Sequence, residues 1–138
     1  MIPERFDGEE IDWDEKEWKE RLTPDQFRVL RHRGTEPPFD NEYYDYEDEG
    51  IYICAGCSLP LFSSQAKYDS GSGWPSFSEP IYPENVSYES DHKLLAQRTE
   101  VLCSRCHGHL GHVFDDGPRP TGKRFCMNSL ALKFLPEG

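Results

Sequence analysis

The most informative part of this sequence is a pair of matching segments, Cys54-Ala55-Gly56-Cys57 and Cys103-Ser104-Arg105-Cys106. Two Cys-x-x-Cys pairs together supply the four thiolates of a tetrahedral zinc site. The gap between them holds 45 residues, 58–102, which is long for a compact zinc finger, so the metal would tie two hairpins of a larger domain together. Because four thiolates leave no coordination position for water or substrate, the ion would be structural. We predict one structural zinc ion bound by Cys54, Cys57, Cys103 and Cys106.

Two other interpretations of these four cysteines stay open. Each pair could be redox-active, although such pairs normally lie at the start of a helix in a βαβ unit, and the sequence shows no such unit around them. Iron held by the same four thiolates is the main chemical alternative to zinc.

Length and charge limit the classes of protein that fit. The 138 residues suit one domain with its own core, and an aromatic content of 13% argues against a chain that is disordered throughout. A formal net charge of −11 would repel nucleic acid and anionic membranes, so we predict neither as a partner. Much of the acidic excess lies in residues 7–20 and 40–49, which we assign to solvated surface.

The sequence also bears on the cellular compartment. Met1 is followed by Ile2, Pro3 and charged residues rather than by an apolar leader, and no uncharged run reaches the roughly 18 residues that cross a bilayer. The five cysteines are an odd number, which fits a reducing compartment better than a framework of paired disulfides. We therefore expect a cytoplasmic protein without a membrane span.

The chain divides into an acidic N-terminal arm, residues 1–20, and a single domain, residues 21–138. Thr23 as the N-cap and Pro24 at the first position predict a helix of about ten residues, which Gly34 is placed to end. From about residue 50, short runs of aromatic and β-branched residues between turn formers predict β-structure. The predicted strands cover residues 51–54, 86–89, 98–102, 110–114 and 124–134, and residues 70–80 are predicted to form an irregular loop.

Once four cysteines are assigned to metal, Cys126 remains alone. A lone cysteine is ordinarily packed in the core, since free cysteine is among the most buried residue types. Here Arg124 and Asn128 would share a strand face with Cys126, because residues two apart on a strand point the same way. A nearby cation lowers a thiol pKa and an amide can hold a substrate, so we favour a reactive thiol.

Other side chains could complete such a site. Three histidines, His107, His109 and His112, follow the second cysteine pair, and imidazoles donate protons near neutral pH. Trp74 lies in a Ser-Gly-Ser-Gly-Trp-Pro loop, where its ring would suit a thioether methyl group. Taken singly, each of these residues fits a structural role at least as well.

In combination, these motifs resemble the methionine sulfoxide reductase B family. The resemblance comprises both cysteine pairs, residues 69–77 (DSGSGWPSF), residues 103–114 (CSRCHGHLGHVF) and residues 124–129 (RFCMNS), in the family's order and spacing. It runs from about Leu22 through Phe134, includes residues 34–39 (GTEPPF), and leaves only the acidic arm outside. The resemblance implies a mainly β fold, with antiparallel sheets forming a compact zinc-stapled domain and short N-terminal helices.

The resemblance also implies an enzyme, a peptide-methionine (R)-S-oxide reductase that repairs oxidised proteins. By position, Cys126 resembles the family's nucleophile, Trp74 resembles the wall that packs on the methyl group, and Arg124 would tune the thiolate. The groups that would bind and help to protonate the sulfoxide oxygen are His109, His112 and Asn128. The implied partners are proteins or peptides carrying methionine sulfoxide and thioredoxin or another thiol reductant, and we expect a monomer.

One position departs from a common pattern of that family, in which a resolving cysteine stands where this chain has Ser72. With four cysteines assigned to metal, no resolving thiol remains. We therefore expect Cys126 to form a sulfenic acid that an external thiol reduces directly. Two competing hypotheses lack turnover: a zinc-ribbon binding module whose acidic surface recognises a basic protein, and a related zinc-stapled fold that binds small molecules in an aromatic cage.

Overall fold

A computed structural model describes residues 3–91 and 98–137. The first two residues of the predicted arm, and residues 92–97 and 138 of the predicted domain, lie outside the described residues. The helices are α1, Glu15–Arg21, and α2, Pro24–His32. The strands are β1 Gly50–Cys54, β2 Pro60–Ser63, β3 Lys67–Tyr68, β4 Ser76–Phe77, β5 Val86–Asp91, β6 Arg98–Cys103, β7 His109–Phe114, β8 Arg124–Met127 and β9 Leu132–Pro136. Short 3-10 turns cover Ser64–Ala66, Pro83–Asn85 and Ser129–Ala131.

The strands form two sheets in which every described pairing is antiparallel. The smaller sheet has the order β2-β1-β9, and the larger sheet has the order β3-β4-β8-β7-β6-β5. Strand β8 lies inside the larger sheet, where Cys126 pairs with Ser76 on β4 and with His112 on β7. The predicted fold class, mainly β with antiparallel sheets and short N-terminal helices, is confirmed.

The helix predicted at Pro24 is present as α2, and its N-cap has a simple cause. The Thr23 side chain accepts a hydrogen bond from the Gln26 backbone, and the Gln26 side chain accepts one from the Thr23 backbone, which completes a capping box. At the other end, Arg33 rather than Gly34 takes the left-handed conformation, with φ 56°. Gly34 is needed for space instead, because a Cβ there would lie 2.6 Å from the Arg28 guanidinium. No helix within residues 3–91 and 98–137 has the length and hydropathy to cross a membrane.

The long final strand predicted over residues 124–134 is wrong. Strand β8 ends at Met127, and β9 begins at Leu132 in the other sheet, with a 3-10 turn between them. The break is stabilised from outside the segment, since the buried Glu36 carboxylate accepts hydrogen bonds from the backbone N–H groups of Ser129 and Leu130. Backbone donors engaged in this way cannot pair with a neighbouring strand, so one run of strand-forming residues serves two sheets.

The prediction of a wholly irregular loop over residues 70–80 is also wrong, because β4 lies within it. Strands β2 and β3 were not predicted either. The strands β3 and β4 are two residues long, too short to show an alternating pattern, and Ser76 on β4 is a buried polar residue bonded to Ser70. Pairing in the sheet, rather than local propensity, therefore defines these strands.

The core lies between the sheets and the helices, and it is rich in aromatic rings. The Phe62 and Phe77 rings stack with centroids 4.4 Å apart, and both side chains are fully buried. Trp18 on α1 is 2% exposed and belongs to the same core cluster. The segment before α1 also contacts the domain, since the Ile11 N–H donates to the Arg105 carbonyl at 2.7 Å. The arm predicted over residues 1–20 thus packs along the domain where the structure describes it.

Candidate active site and metal centre

The four cysteines of the two Cys-x-x-Cys pairs meet at one point. Their Sγ atoms all lie within 4.8 Å of one another, with Cys54 to Cys106 at 3.6 Å and Cys57 to Cys103 at 3.4 Å. A tetrahedral ion with Zn–S bonds of about 2.3 Å would place its thiolates about 3.8 Å apart, so this donor set fits such an ion. The four cysteines can therefore hold a structural metal ion.

Both pairs lie in turns of the same construction, which explains how two distant segments present matching thiolates. Each pair follows a strand, β1 or β6, and neither pair opens a helix, which disfavours the redox-active interpretation. In each turn the first cysteine N–H donates to the carbonyl five residues on, and the residue four positions on donates back to that cysteine. These bonds join Cys54 with Leu59 and Ser58, and Cys103 with Gly108 and His107. Ser58 and His107 both take positive φ, at 68° and 62°.

The fifth cysteine lies apart from the metal site in a groove of about 330 Å³. Cys126 is free and only partly buried, and its Sγ lies 3.9 Å from the Ser72 hydroxyl. The residues that line this groove are Thr35, Ser72, Trp74, Arg98, Gly111, His112, Phe114, Arg124, Cys126, Met127 and Asn128. We call it the Cys126 groove, and five of the predicted site residues meet in it: Trp74, His112, Arg124, Cys126 and Asn128.

Opposing influences act on the Cys126 thiol. Burial raises its pKa above the ordinary value, while a hydrogen bond from Ser72 and the charge of Arg124 lower that pKa. Arg124 is held in place by Asp116, which it contacts at 2.8 and 3.1 Å, and its guanidinium lies 4.3 Å from the centre of the Phe114 ring. The cation beside the thiol is therefore fixed, and it offsets part of the cost of forming a thiolate in a partly buried position.

The two histidines of the predicted site lie at different depths. His112 lines the Cys126 groove, whereas His109 is 4% exposed and faces a neighbouring cavity of about 450 Å³. Their ring centroids are 5.4 Å apart, so His109 packs behind His112. The His109 Nδ1 lies 2.6 Å from the buried Glu100 carboxylate, and Arg33 lies 3.3 Å from the other oxygen of that carboxylate. Burial lowers the His109 pKa, although the contact with Glu100 acts in the opposite direction.

Glu36 organises the other side of the groove, and sequence reasoning missed it. Its backbone carbonyl accepts the Trp74 indole N–H at 2.9 Å, and its backbone N–H donates to the Asn128 side chain at 3.2 Å. The Asn128 amide also donates to the Leu110 carbonyl at 3.1 Å. Burial raises the pKa of the Glu36 carboxyl, although two backbone N–H groups bind it. One residue thus positions both the indole and the amide.

Neither Glu36 nor Glu100 stands out in a chain with 26 acidic residues. A signal existed for Glu100, an acid that lies directly before the apolar residues Val101 and Leu102 in a predicted strand. Glu36 lies in residues 34–39, which the resemblance includes without implying a role for this residue, and it acts on residues more than ninety positions away.

Comparison with known proteins agrees with this geometry. The SelR domain family matches residues 22–136. The peptide methionine sulfoxide reductase MsrB of Hahella chejuensis is 54% identical over 120 residues, which cover 87% of this chain and 86% of that protein. The MsrB of Leptospira interrogans is 52% identical over 128 residues, covering 93% of this chain and 98% of that protein. The mitochondrial methionine-R-sulfoxide reductase B3 of Mus musculus is 50% identical over 122 residues, covering 88% of this chain and 48% of that protein.

A family match over most of the chain, together with relatives of similar length at half or more identical residues, identifies the fold and the family at once. The chain therefore belongs to the SelR domain family of MsrB-type peptide methionine sulfoxide reductases.

Proposed function

We propose that this protein reduces the R epimer of peptide-bound methionine sulfoxide to methionine and so repairs oxidised proteins. The observation that carries this function is the Cys126 groove, which holds a metal-free thiol beside an indole, an imidazole and an amide. The R epimer is named in the mouse relative, and methionine sulfoxide in all three relatives described above. Reduction of an R-sulfoxide peptide, and not of its S epimer, with dithiothreitol tests the proposal.

The chemistry transfers one oxygen atom and two electrons. The Cys126 thiolate attacks the electrophilic sulfur of the sulfoxide and forms an S–S bond as the sulfoxide oxygen takes up a proton. The hydroxyl then moves to the Cys126 sulfur as the S–O bond to methionine and the new S–S bond both break. Methionine leaves as the thioether, and Cys126 keeps the oxygen as a sulfenic acid. An external thiol then forms a mixed disulfide with Cys126 and releases water, and a second thiol restores the Cys126 thiol.

Each groove residue has a role that its position supports. Trp74 is held by the bond from its indole to Glu36 and offers a rigid wall to the substrate methyl group. His112 and Asn128 line the groove beside Cys126 and would hold the sulfoxide oxygen. His109 would act from behind His112, in a ring orientation that Glu100 fixes. Arg124 would stabilise the thiolate through its charge.

We assign the metal as one structural zinc ion, supported by four sulfur donors at tetrahedral spacing. It would join the turn after β1 to the turn after β6 and supply no chemistry to the groove. For the reductant, we propose thioredoxin, glutaredoxin or a small thiol acting on a monomer.

The absence of a cysteine at position 72 predicts which oxidised form accumulates. Protein treated with one equivalent of sulfoxide and no reductant should carry a sulfenic acid at Cys126, because the remaining cysteines lie together in the metal site. Mass spectrometry of native protein with a sulfenic-acid-specific probe measures this. Ser72→Cys is the matched comparison. The Ser72 hydroxyl oxygen lies 3.9 Å from the Cys126 sulfur, so a cysteine at position 72 should form an internal disulfide with Cys126 instead. An internal disulfide in the unaltered chain would contradict the one-cysteine cycle.

Arg124→Gln should move the pH dependence of Cys126 reactivity upward by about one pH unit, since removing a nearby cation destabilises the thiolate. The rate of Cys126 alkylation by iodoacetamide, followed by mass spectrometry from pH 6 to 10, measures the shift. Below the thiol pKa the rate should rise about tenfold per pH unit, because only the thiolate reacts.

Lys133→Gln is the matched control for this experiment, because it removes one exposed cation from β9 in the other sheet. Its alkylation profile should coincide with that of the unaltered protein. Identical profiles for Arg124→Gln and Lys133→Gln would refute a role for Arg124 in tuning the thiol.

We propose a division into an acidic arm, residues 1–20, and a reductase domain, residues 21–138, which the start of the family match at residue 22 supports. We propose a cytoplasmic location, supported by five free cysteines, four of which must stay reduced to hold a metal. Cell fractionation tests the location, since relatives of this chain include a mitochondrial protein.

A further inference from the structure

A second groove of about 330 Å³ lies beside the Cys126 groove and shares Trp74 with it. Its lining combines four carboxylates with exposed or partly exposed rings, and we call it the acidic groove. The carboxylates are those of Asp45, Glu47, Asp48 and Asp69. Because Trp74 borders both spaces, a peptide that places one residue in the Cys126 groove has neighbouring residues within reach of the acidic groove.

The acidic groove has a strong charge of one sign. Four carboxylates and the single ammonium of Lys67 line it, which makes a formal charge of −3. The four acids are exposed, whereas Lys67 is partly buried and its ammonium donates to the Tyr44 carbonyl at 3.3 Å. The lysine is thus turned toward the protein while the carboxylates face solvent. A cationic side chain entering the groove would meet complementary charge.

The apolar wall of the acidic groove is built onto the loop that carries Trp74. Phe39 is 60% exposed, although the structure fixes its backbone, with φ 62° and its N–H donating to the Gly73 carbonyl at 2.8 Å. Asn41 donates to the same carbonyl at 2.9 Å. Gly73 takes φ 91°, and a Cβ there would lie 2.7 Å from the Phe39 ring, so this close approach requires glycine. Aromatic surface beside carboxylates suits the long alkyl stem and charged head of lysine or arginine.

We propose that the acidic groove binds a lysine or arginine side chain close in sequence to the oxidised methionine, so that the enzyme prefers basic segments of oxidised proteins. This inference rests on the proposed function, because it names the substrate class of the same site. Continuity through Trp74 places the two grooves on one peptide path. The charge of the lining selects the basic occupant over an acidic or neutral one.

Three blocked peptides of equal length test this preference, with R-methionine sulfoxide flanked on both sides by lysine, glutamine or glutamate. We expect kcat/KM for the lysine peptide to exceed that for the glutamate peptide by about tenfold or more, mostly through KM, and the ratio to fall as salt rises. A triple variant, Asp45→Asn, Asp48→Asn and Asp69→Asn, should bring the lysine-to-glutamate ratio close to one.

The matched control removes the same three charges elsewhere, because a chain of net charge −11 attracts basic peptides at any point of its surface. Glu9→Gln, Asp12→Asn and Glu20→Gln, all exposed in the N-terminal segment, serve this purpose. A ratio that falls in the groove variant and persists in the control supports the acidic groove. An equal fall in both variants, or no preference in the unaltered protein, overturns it. Failure of the unaltered protein to reduce even the glutamine peptide would instead overturn the proposed function.

Discussion

Replacing Cys126 with serine should lower kcat/KM for an R-sulfoxide peptide by at least about a thousandfold, to the level of dithiothreitol alone. A serine hydroxyl is scarcely ionised at neutral pH and cannot cycle through a sulfenic acid. Replacing groove residues such as Trp74 or Asn128 is expected to lower kcat/KM less, because in the proposed mechanism they hold the substrate and do not form the new bond. The measurement is steady-state reduction of both sulfoxide epimers, with methionine quantified by chromatography.

Ser72→Ala is the matched control, since it changes a side chain that touches the Cys126 sulfur without removing a reacting atom. Its kcat/KM should fall by no more than about tenfold, because the variant loses only the hydrogen bond to the thiolate. If Cys126→Ser kept a tenth of the activity, Cys126 could not be the nucleophile. If the unaltered protein reduced neither epimer, the non-catalytic binding module would be favoured instead.

Replacing Cys103 with serine should lower the melting temperature by at least about 10 °C and abolish stoichiometric metal binding. A structural site contributes several kcal/mol to folding, and one kcal/mol corresponds to roughly 3–5 °C in a domain of this size. The two turns follow β1 and β6, which belong to different sheets, and Cys103 is completely buried. Loss of the ion would therefore leave buried thiols at the point where the ion would join the two sheets. Calorimetry and elemental analysis on the same sample measure both quantities, and elemental analysis distinguishes zinc from iron.

Cys126→Ser is again the useful comparison, because it makes the same chemical change outside the metal site. It should keep one metal ion per chain and melt within about 2 °C of the unaltered protein, since a partly exposed sulfur contributes little to packing. Equal metal content in Cys103→Ser and the unaltered protein would refute the four-cysteine site.

The grouping of the four metal-site cysteines was predictable from the sequence because it depends on their spacing along the chain. Each pair lies in a turn of six residues, which is short enough that its own backbone hydrogen bonds set the geometry, as the matching turns at Cys54 and Cys103 show. The helix at Pro24 was predictable for the same reason, since its capping box involves residues three positions apart. Strands β3 and β4 were not, because their two residues are defined by partners elsewhere in the sheet.

The candidate site shows the same difference between features set by neighbouring residues and features set by distant ones. Sequence alone determined that one cysteine remains when four are assigned to metal, that Trp74, Arg124 and the histidines lie in motifs around it, and that no thiol stands at position 72. Only the tertiary structure decided that Asn128 lies beyond the end of a strand, at a break that Glu36 stabilises. It also decided that His109 packs behind His112 and contacts the buried Glu100. The two grooves that share Trp74 likewise exist only in the folded chain. The physical reason is the range of the interactions: turns and caps act over a few residues, whereas burial, buried ion pairs and shared walls exist only once distant segments have packed together.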